Sequence, residues 1–405
     1  MKKMLFSLLC LLPILCSGCT GLTIERQDID RTEFIRVIGL DRSPTDPKKI
    51  RLTLASKQEA KESLGGTGGS GEGNSSKAPS QNAKIQSADG FTIFEAIREL
   101  QNHNDKHIMT AHVEYFLIGE SAAKDNLLKY VDYISRDHEI RINANMFVTK
   151  GTTAEAIMQK SSESSAFMGE VIRTLIQNSK GLSVNSKIEI VDLMGTLDSE
   201  YIETAIPTLE LLDTKNTAHI KSSINLAMNG YAIFKGIKLL TYLDRDTSQG
   251  LTFIWNQAAS GVISVHDLKG QNIALEMINF SSQVIPQFQG EKLSILVKAN
   301  ISSNIDEIHS TDEIFNEKYH DYLNQQQAAV VKNELQKVIT FAQQNNVDIL
   351  KLSNAIHIQH PIRWEKIKKS WTTLFPKLPI TIMVKSKINR SYDIEDPNRY
   401  KRGIP

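Results

Sequence analysis

Cysteine is scarce: the 405 residues hold three, Cys10, Cys16 and Cys19, and none follows. A disulfide framework in the body of the chain is thereby excluded. Long apolar runs are scarce as well. The one near-continuous stretch, Met4 to Leu15, is interrupted by Pro13 and falls short of the roughly 20 residues that cross a bilayer as a helix. Neither sign of charge prevails, with 47 basic and 46 acidic residues, so nucleic-acid binding and a polybasic membrane surface are not indicated. No serine lies in a Gly-x-Ser-x-Gly elbow, which removes support for a serine hydrolase of that type.

What is present begins at Met1. Lys2 and Lys3 precede the apolar stretch, and Cys16-Ser17-Gly18-Cys19 follows it. That order is a signal peptide rather than a spanning helix. Ser17-Gly18-Cys19 resembles a bacterial lipobox, although Cys16 stands where leucine is usual. The expectation is cleavage after residue 18, lipid attachment to Cys19 and display on the outer face of a membrane. Cleavage removes Lys2 and Lys3 and takes the formal charge from +1 to −1. An ordinary signal peptide ending in cysteine is the plainer alternative.

The remaining chain predicts an α+β protein of three consecutive mixed α/β domains, the last an antiparallel sheet covered by helices. Residues 19–33 read as a lipidated tether. A first domain over 34–202 opens with a buried strand at Phe34 to Leu40, answered by the alternation Ile50, Leu52, Leu54. Residues 65–80 are Gly, Ser, Asn and Pro without apolar periodicity and predict a disordered loop. Gly66-Thr67-Gly68-Gly69-Ser70-Gly71 fits a dinucleotide fingerprint by spacing, but no helix opens there to receive a pyrophosphate, so nucleotide binding is rejected.

Ile93, Phe94, Ile97 and Leu100 predict one helix face and Leu127, Leu128, Val131 and Ile134 another. Strands are expected at Val113 to Ile118 and around Ala144 to Val148, a capping box at Thr152-Thr153-Ala154-Glu155, and a helix over Phe167 to Ile176. Residues 203–270 read as a small strand-rich domain, with a hairpin turn at Asn229-Gly230 and a second at Lys235-Gly236. Residues 271–395 read as the C-terminal domain. They hold two strands, a long helix over Asn316 to Asn345, Trp364 and Trp371 on one face of a lysine-rich helix, and a closing strand. A tail, 396–405, ends the chain.

Candidate chemistry is thin. His103, His107 and His112, and His357 with His360, have spacings seen among metal ligands, but neither group gathers the three or four ligands zinc needs, and no metal or cofactor is assigned. Arg136-Asp137-His138-Glu139-Ile140-Arg141 holds an acid and an imidazole, yet at the end of a helix its charges are expected to cap and pair. Trp364 and Trp371 suit a helix packed on a sheet more than an interface. Lys366, Lys368 and Lys369 suit a solvated face.

Several blocks together resemble the Ger(x)C family, the C subunits of the nutrient germinant receptors of endospore-forming bacteria. They are Ile38-Gly39-Leu40-Asp41, the run His112 to Glu120, the run Arg136 to Arg141, and the Trp364 to Trp371 segment followed by Leu374-Phe375-Pro376-Lys377-Leu378. Members commonly carry tryptophan and aspartate after the lipid cysteine, where this chain has Thr20 and Gly21. The resemblance implies a non-enzymatic lipoprotein on the extracytoplasmic face of the spore inner membrane. Its partners would be two integral-membrane subunits, A and B, and its work the assembly or coupling of that receptor. A solute-binding lipoprotein serving a transporter is the alternative reading.

Overall fold

The computed structural model describes residues 29–57, 83–163, 166–212, 225–308 and 317–389. The signal peptide, Cys19, most of the tether, the glycine-rich loop and the tail all lie outside them.

Two sheets organise the described chain. The first is built from β1 (Thr32–Arg42), β2 (Ile50–Lys57), β3 (Ala83–Gly90), β4 (His107–Met109), β5 (Tyr115–Gly119), β6 (Asn145–Lys150), β7 (Ala205–Leu211), β8 (Leu226–Lys235) and β9 (Lys238–Tyr242). Its strand order is β3-β2-β1-β5-β6-β7-β8-β9, with β4 beside the start of β1. The central pairs β1–β5, β5–β6 and β6–β7 are parallel, and the flanks are antiparallel. Parallel neighbours need crossovers, which helices supply here.

Those helices cover both faces, so the central strands read as unbroken apolar runs. One face packs α1 (Ile93–Asn102), α2 (Glu120–Asp125), α3 (Leu127–Arg136) and α6 (Ile190–Leu197) against Ile38, Leu52, Phe116 and Met146. The other packs α4 (Ala154–Glu163) and α5 (Met168–Ser179) against Val37, Tyr115, Leu117 and Phe147.

The second sheet is β10 (Gly261–His266), β11 (Asn272–Gln289), β12 (Lys292–Ile308) and β13 (Ile380–Asn389), in that order. It is antiparallel through β12, while β13 joins β12 in parallel. Among the described residues helices cover one face only: α7 (Arg245–Ile254), α8 (Glu317–Asn345), α9 (Leu352–Gln359), α10 (Pro361–Ile367) and α11 (Trp371–Leu374). The mixed α+β class and the final helix-covered sheet thus stand.

The strands of 203–270 form no sheet of their own. β7, β8 and β9 extend the first sheet and β10 opens the second. The cause is β8, whose alternating side chains serve two cores. Ala232 and Phe234 pack with the first domain's helices, whereas Tyr231 and Ile233 pack with α7 and the second sheet.

Four local expectations are corrected. Asn229-Gly230 is no turn. It lies inside β8, where Gly230 at φ +78° sits beside a register shift against β7, so the left-handed preference of glycine makes a bulge. The reciprocal capping box is at Thr92 and Glu95: Glu95 N donates to Thr92 Oγ1 (3.1 Å) and Phe91 N to Glu95 Oε2 (2.8 Å). Phe94 and Leu128 are 52% and 44% exposed, because Ala96 and Tyr130 complete the buried faces instead. Trp364 and Trp371 do meet, with ring centroids 5.4 Å apart, but a 3-10 turn at Lys368–Ser370 separates their helices.

Candidate functional site

Two places gather residues of three of the sequence blocks, while the Trp364 to Leu378 block packs in the core of the second sheet. At the first, β1 delivers Asp41 to the start of α4. Its carboxylate accepts from Ala154 N and Glu155 N, each at 2.9 Å, satisfying two of the donors a helix leaves open at its N-terminus. Thr153 Oγ1 accepts from Ala156 N at 3.1 Å. Glu155, the expected capping-box acid, turns instead to Arg51 at 3.2 Å, which also holds Asp89 at 2.6 Å.

Burial pushes the Asp41 carboxyl up to about 6 against the pull of these donors, while Arg51 holds Asp89 below its ordinary range. Gly119 completes the fit: a Cβ there would stand 1.7 Å from Asp41 Oδ1. Gly39 is also close-packed, though less so, with Met158 Sδ 2.8 Å from a Cβ built on it. The glycines and the aspartate of two blocks are therefore one construction, the seat of α4 on the sheet.

Glu114, from the second block, anchors α5 through side-chain ion pairs instead. Arg36 Nε and Arg173 reach it at 3.1 and 3.0 Å, and both arginines also reach Glu170, at 3.3 and 3.0 Å. Burial pushes the Glu114 carboxyl up, and the two guanidinium groups outweigh it and hold the group low.

The second place is a cleft of about 360 Å³ between α1, β4 and the end of α3. Phe94, Ile97, Ile108 and Tyr133 give it apolar walls, and Arg98, His107 and Arg136 to Glu139 bring charge and imidazoles. Most of that charge is engaged. Tyr133 Oη donates to Asp137 Oδ2, Glu139 N to Asp137 Oδ1 at 2.8 Å, Thr110 Oγ1 to Glu139 Oε2 at 3.2 Å, and Arg136 pairs with Asp132 at 2.9 Å. Burial, and then the bond to Asp137, push the Tyr133 phenol well above its usual range. Arg98 lies over the Phe94 ring at 4.9 Å. The arrangement offers an apolar socket with charged edges, suited to contact.

The candidate histidines do not converge. His103 Nδ1 bonds the Glu99 carbonyl at 3.0 Å, His112 packs edge-on against Phe34, His357 stacks with Trp364 and His360 meets Phe288. Among the described residues no group of three His, Cys, Asp or Glu side chains is placed to hold a metal. The sequence pattern assigns Phe94 and Ile97 to a helix's apolar face and does not single out Arg98, so it misses their place as cleft walls. The available signal was that Phe94 falls off the face set by Ile93, Ala96 and Leu100.

The fold and these blocks define a class, the spore germination proteins of the GerAC type. The family model described as "Spore germination protein N-terminal domain" matches residues 25–211, and "Spore germination B3/ GerAC like, C-terminal" matches 229–392. In that order they span most of the chain, and the chain belongs to this family. Spore germination protein KC of Bacillus subtilis (strain 168) is 23% identical over 403 residues, 96% of each chain. The putative spore germination protein YfkR of the same strain is 28% identical over 317 residues, 77% of each. The crystal structure of the GerBC protein matches with a TM-score of 0.52 at 17% identity, covering 87% of this chain and 96% of that one, a likeness of fold. The chain's role is accordingly in spore germination, in a family not known for enzymes.

Proposed function

We propose that the chain is the lipid-anchored C subunit of a nutrient germinant receptor, working through protein contacts with two integral-membrane subunits in the spore inner membrane. The observation that carries this reading is the family match over both halves in chain order. The blocks that mark the family build helix seats and a contact socket, which suits assembly or coupling. Cys19 is the proposed attachment point, set by the lipobox-like Ser17-Gly18-Cys19. Two acyl chains there would give a stable anchor at about 0.8 kcal/mol per buried methylene.

Deletion of the gene should abolish or slow germination triggered by one nutrient while sparing others. Normal germination with every nutrient, in a strain lacking redundant receptors, would refute the reading. Cys19→Ala should shift the protein from the membrane to the soluble fraction of spore extracts. The solute-binding alternative requires two lobes around a cleft. Here the halves instead share β8 and meet through buried Tyr231 and Ile233, so it is not favoured.

A further inference from the structure

The face of the second sheet that no described helix covers carries unspent positive charge. In β12 the inward residues Ile295, Val297, Ala299 and Ile301 are buried, and Leu296, Lys298, Asn300 and Ser302 point the other way. Registry lines up the outward side chains in rows across β11, β12 and β13: Asn279, Ser302 and Lys387; Ser281, Asn300 and Lys385; Gln283, Lys298 and Met383. Asn279, Ser281, Asn300, Ser302, Lys385 and Lys387 line an open trough of about 460 Å³. None of the three lysines has an ion pair among the described residues. The nearest acid on this face in the pairing scheme is Glu276, one row beyond, opposite Asn304.

We propose that this face lies against an anionic lipid surface, with Lys298, Lys385 and Lys387 meeting phosphodiester headgroups and the Asn and Ser side chains donating to the same oxygens. The composition separates a bilayer from a protein partner. Protein interfaces concentrate aromatic residues, methionine and arginine and are depleted of lysine and serine, whereas these rows hold three lysines and two serines against one methionine, Met383, with neither arginine nor an aromatic ring. A lysine near an anionic leaflet gains about a fivefold preference, so three multiply contact by on the order of a hundredfold. That is too little to hold a protein alone and enough to orient one already tethered. The proposal rests on the anchor at Cys19 for its proximity.

The test uses the lipidated, mature full-length protein reconstituted in vesicles. Every cysteine but Cys19 lies in the signal peptide, so Ser281→Cys takes a single fluorophore on the trough and Leu128→Cys, on exposed α3 surface, takes it elsewhere. Vesicles of phosphatidylcholine, with or without an equal part of phosphatidylglycerol, carry a headgroup nitroxide quencher. Strong quenching at 281 but not 128, only with phosphatidylglycerol, and its loss in Lys298→Glu/Lys385→Glu/Lys387→Glu with an unchanged circular dichroism spectrum, would establish the contact. A protein that floats with both vesicle types yet shows no lipid-dependent quenching at 281 overturns the proposal and leaves the anchor standing. Flotation only with phosphatidylglycerol, lost in the triple variant, removes the anchor and keeps the face. Flotation with neither overturns both.

Discussion

Asp41 and Gly119 show what a short block means once the chain is folded. In sequence, Ile38-Gly39-Leu40-Asp41 and Ile118-Gly119-Glu120 are separate signatures, and nothing in spacing or composition joins them. In the structure the aspartate fills the volume that a side chain at 119 would need, and spends its oxygens on the first turn of α4. Gly119 has φ −62°, a conformation alanine accepts, so the requirement for glycine is purely one of space. Gly119→Ala should therefore destabilise by about 1–3 kcal/mol through overpacking, and Asp41→Ala by about 0.5–2 kcal/mol through the lost cap. Because the first methyl occupies the space that the second change vacates, the double variant should cost less than the sum of the two. Urea melts of the four proteins measure this, and strict additivity would show that the two positions do not touch. A contact between residues 78 apart was never available to a local pattern. The same holds for Glu114, whose arginine partners lie on β1 and α5.

At the scale of elements, the helices and strands with clean periodicity were legible, among them β1, β2 and the long α8, whose Val331, Leu335, Val338 and Ala342 are all buried. Failures came where one signal served two uses. The positive φ of Gly230 supports a hairpin turn or a bulge equally well, and a β-carbon there would meet Ser248 Oγ at 2.8 Å and Leu243 O at 2.9 Å. The approach of α7 to β8 therefore decided between them.

Helix α8 also hides a group its pattern gives no hint of. Glu334 is 8% exposed, and its Oε2 has no hydrogen-bond partner among the described residues. Burial, helped by nearby Asp246, pushes this carboxyl up to about 8 from an ordinary 4.5. Between those values the folded protein keeps a proton that the unfolded chain has released, so this residue's contribution to stability falls as pH rises from about 5 to 8. Glu334→Gln removes the titration while keeping the shape. Measured as wild type minus variant, stability should fall by several kcal/mol across that range, with a ceiling of about 5 kcal/mol. Thermal melts of both proteins at pH 5, 6.5 and 8 check the sign. A difference that stays constant with pH would place the Glu334 carboxylate in contact with solvent or a cation.

For the whole molecule the question is whether the two halves matched by separate family models act as separate bodies. The chain forms two sheets, β8 and β9 of the second match completing the first, and a sequence reading naturally draws boundaries where strand patterns change. The partly buried polar bonds across the junction argue for one unit. Ser186 N donates to Tyr231 Oη at 2.7 Å and Ser186 Oγ meets the same hydroxyl at 2.9 Å, while Thr252 Oγ1, in Tyr231's own half, holds it at 3.1 Å. Ser353 Oγ reaches back to the Tyr201 carbonyl at 3.3 Å. Each such bond is worth about 1 kcal/mol net but costs more when one partner is left buried and alone, so opening the junction exposes apolar area and orphans donors together. Unfolding followed by near-ultraviolet and far-ultraviolet circular dichroism should therefore give coincident transitions. Tyr231→Ala, which removes a fully buried ring from this core, should lower stability by about 3–5 kcal/mol. If the halves are coupled, the variant's midpoint moves as a single transition. If instead it splits into two, one of them at the wild-type midpoint, the halves are independent, and a signal received by one would have no rigid path to the other.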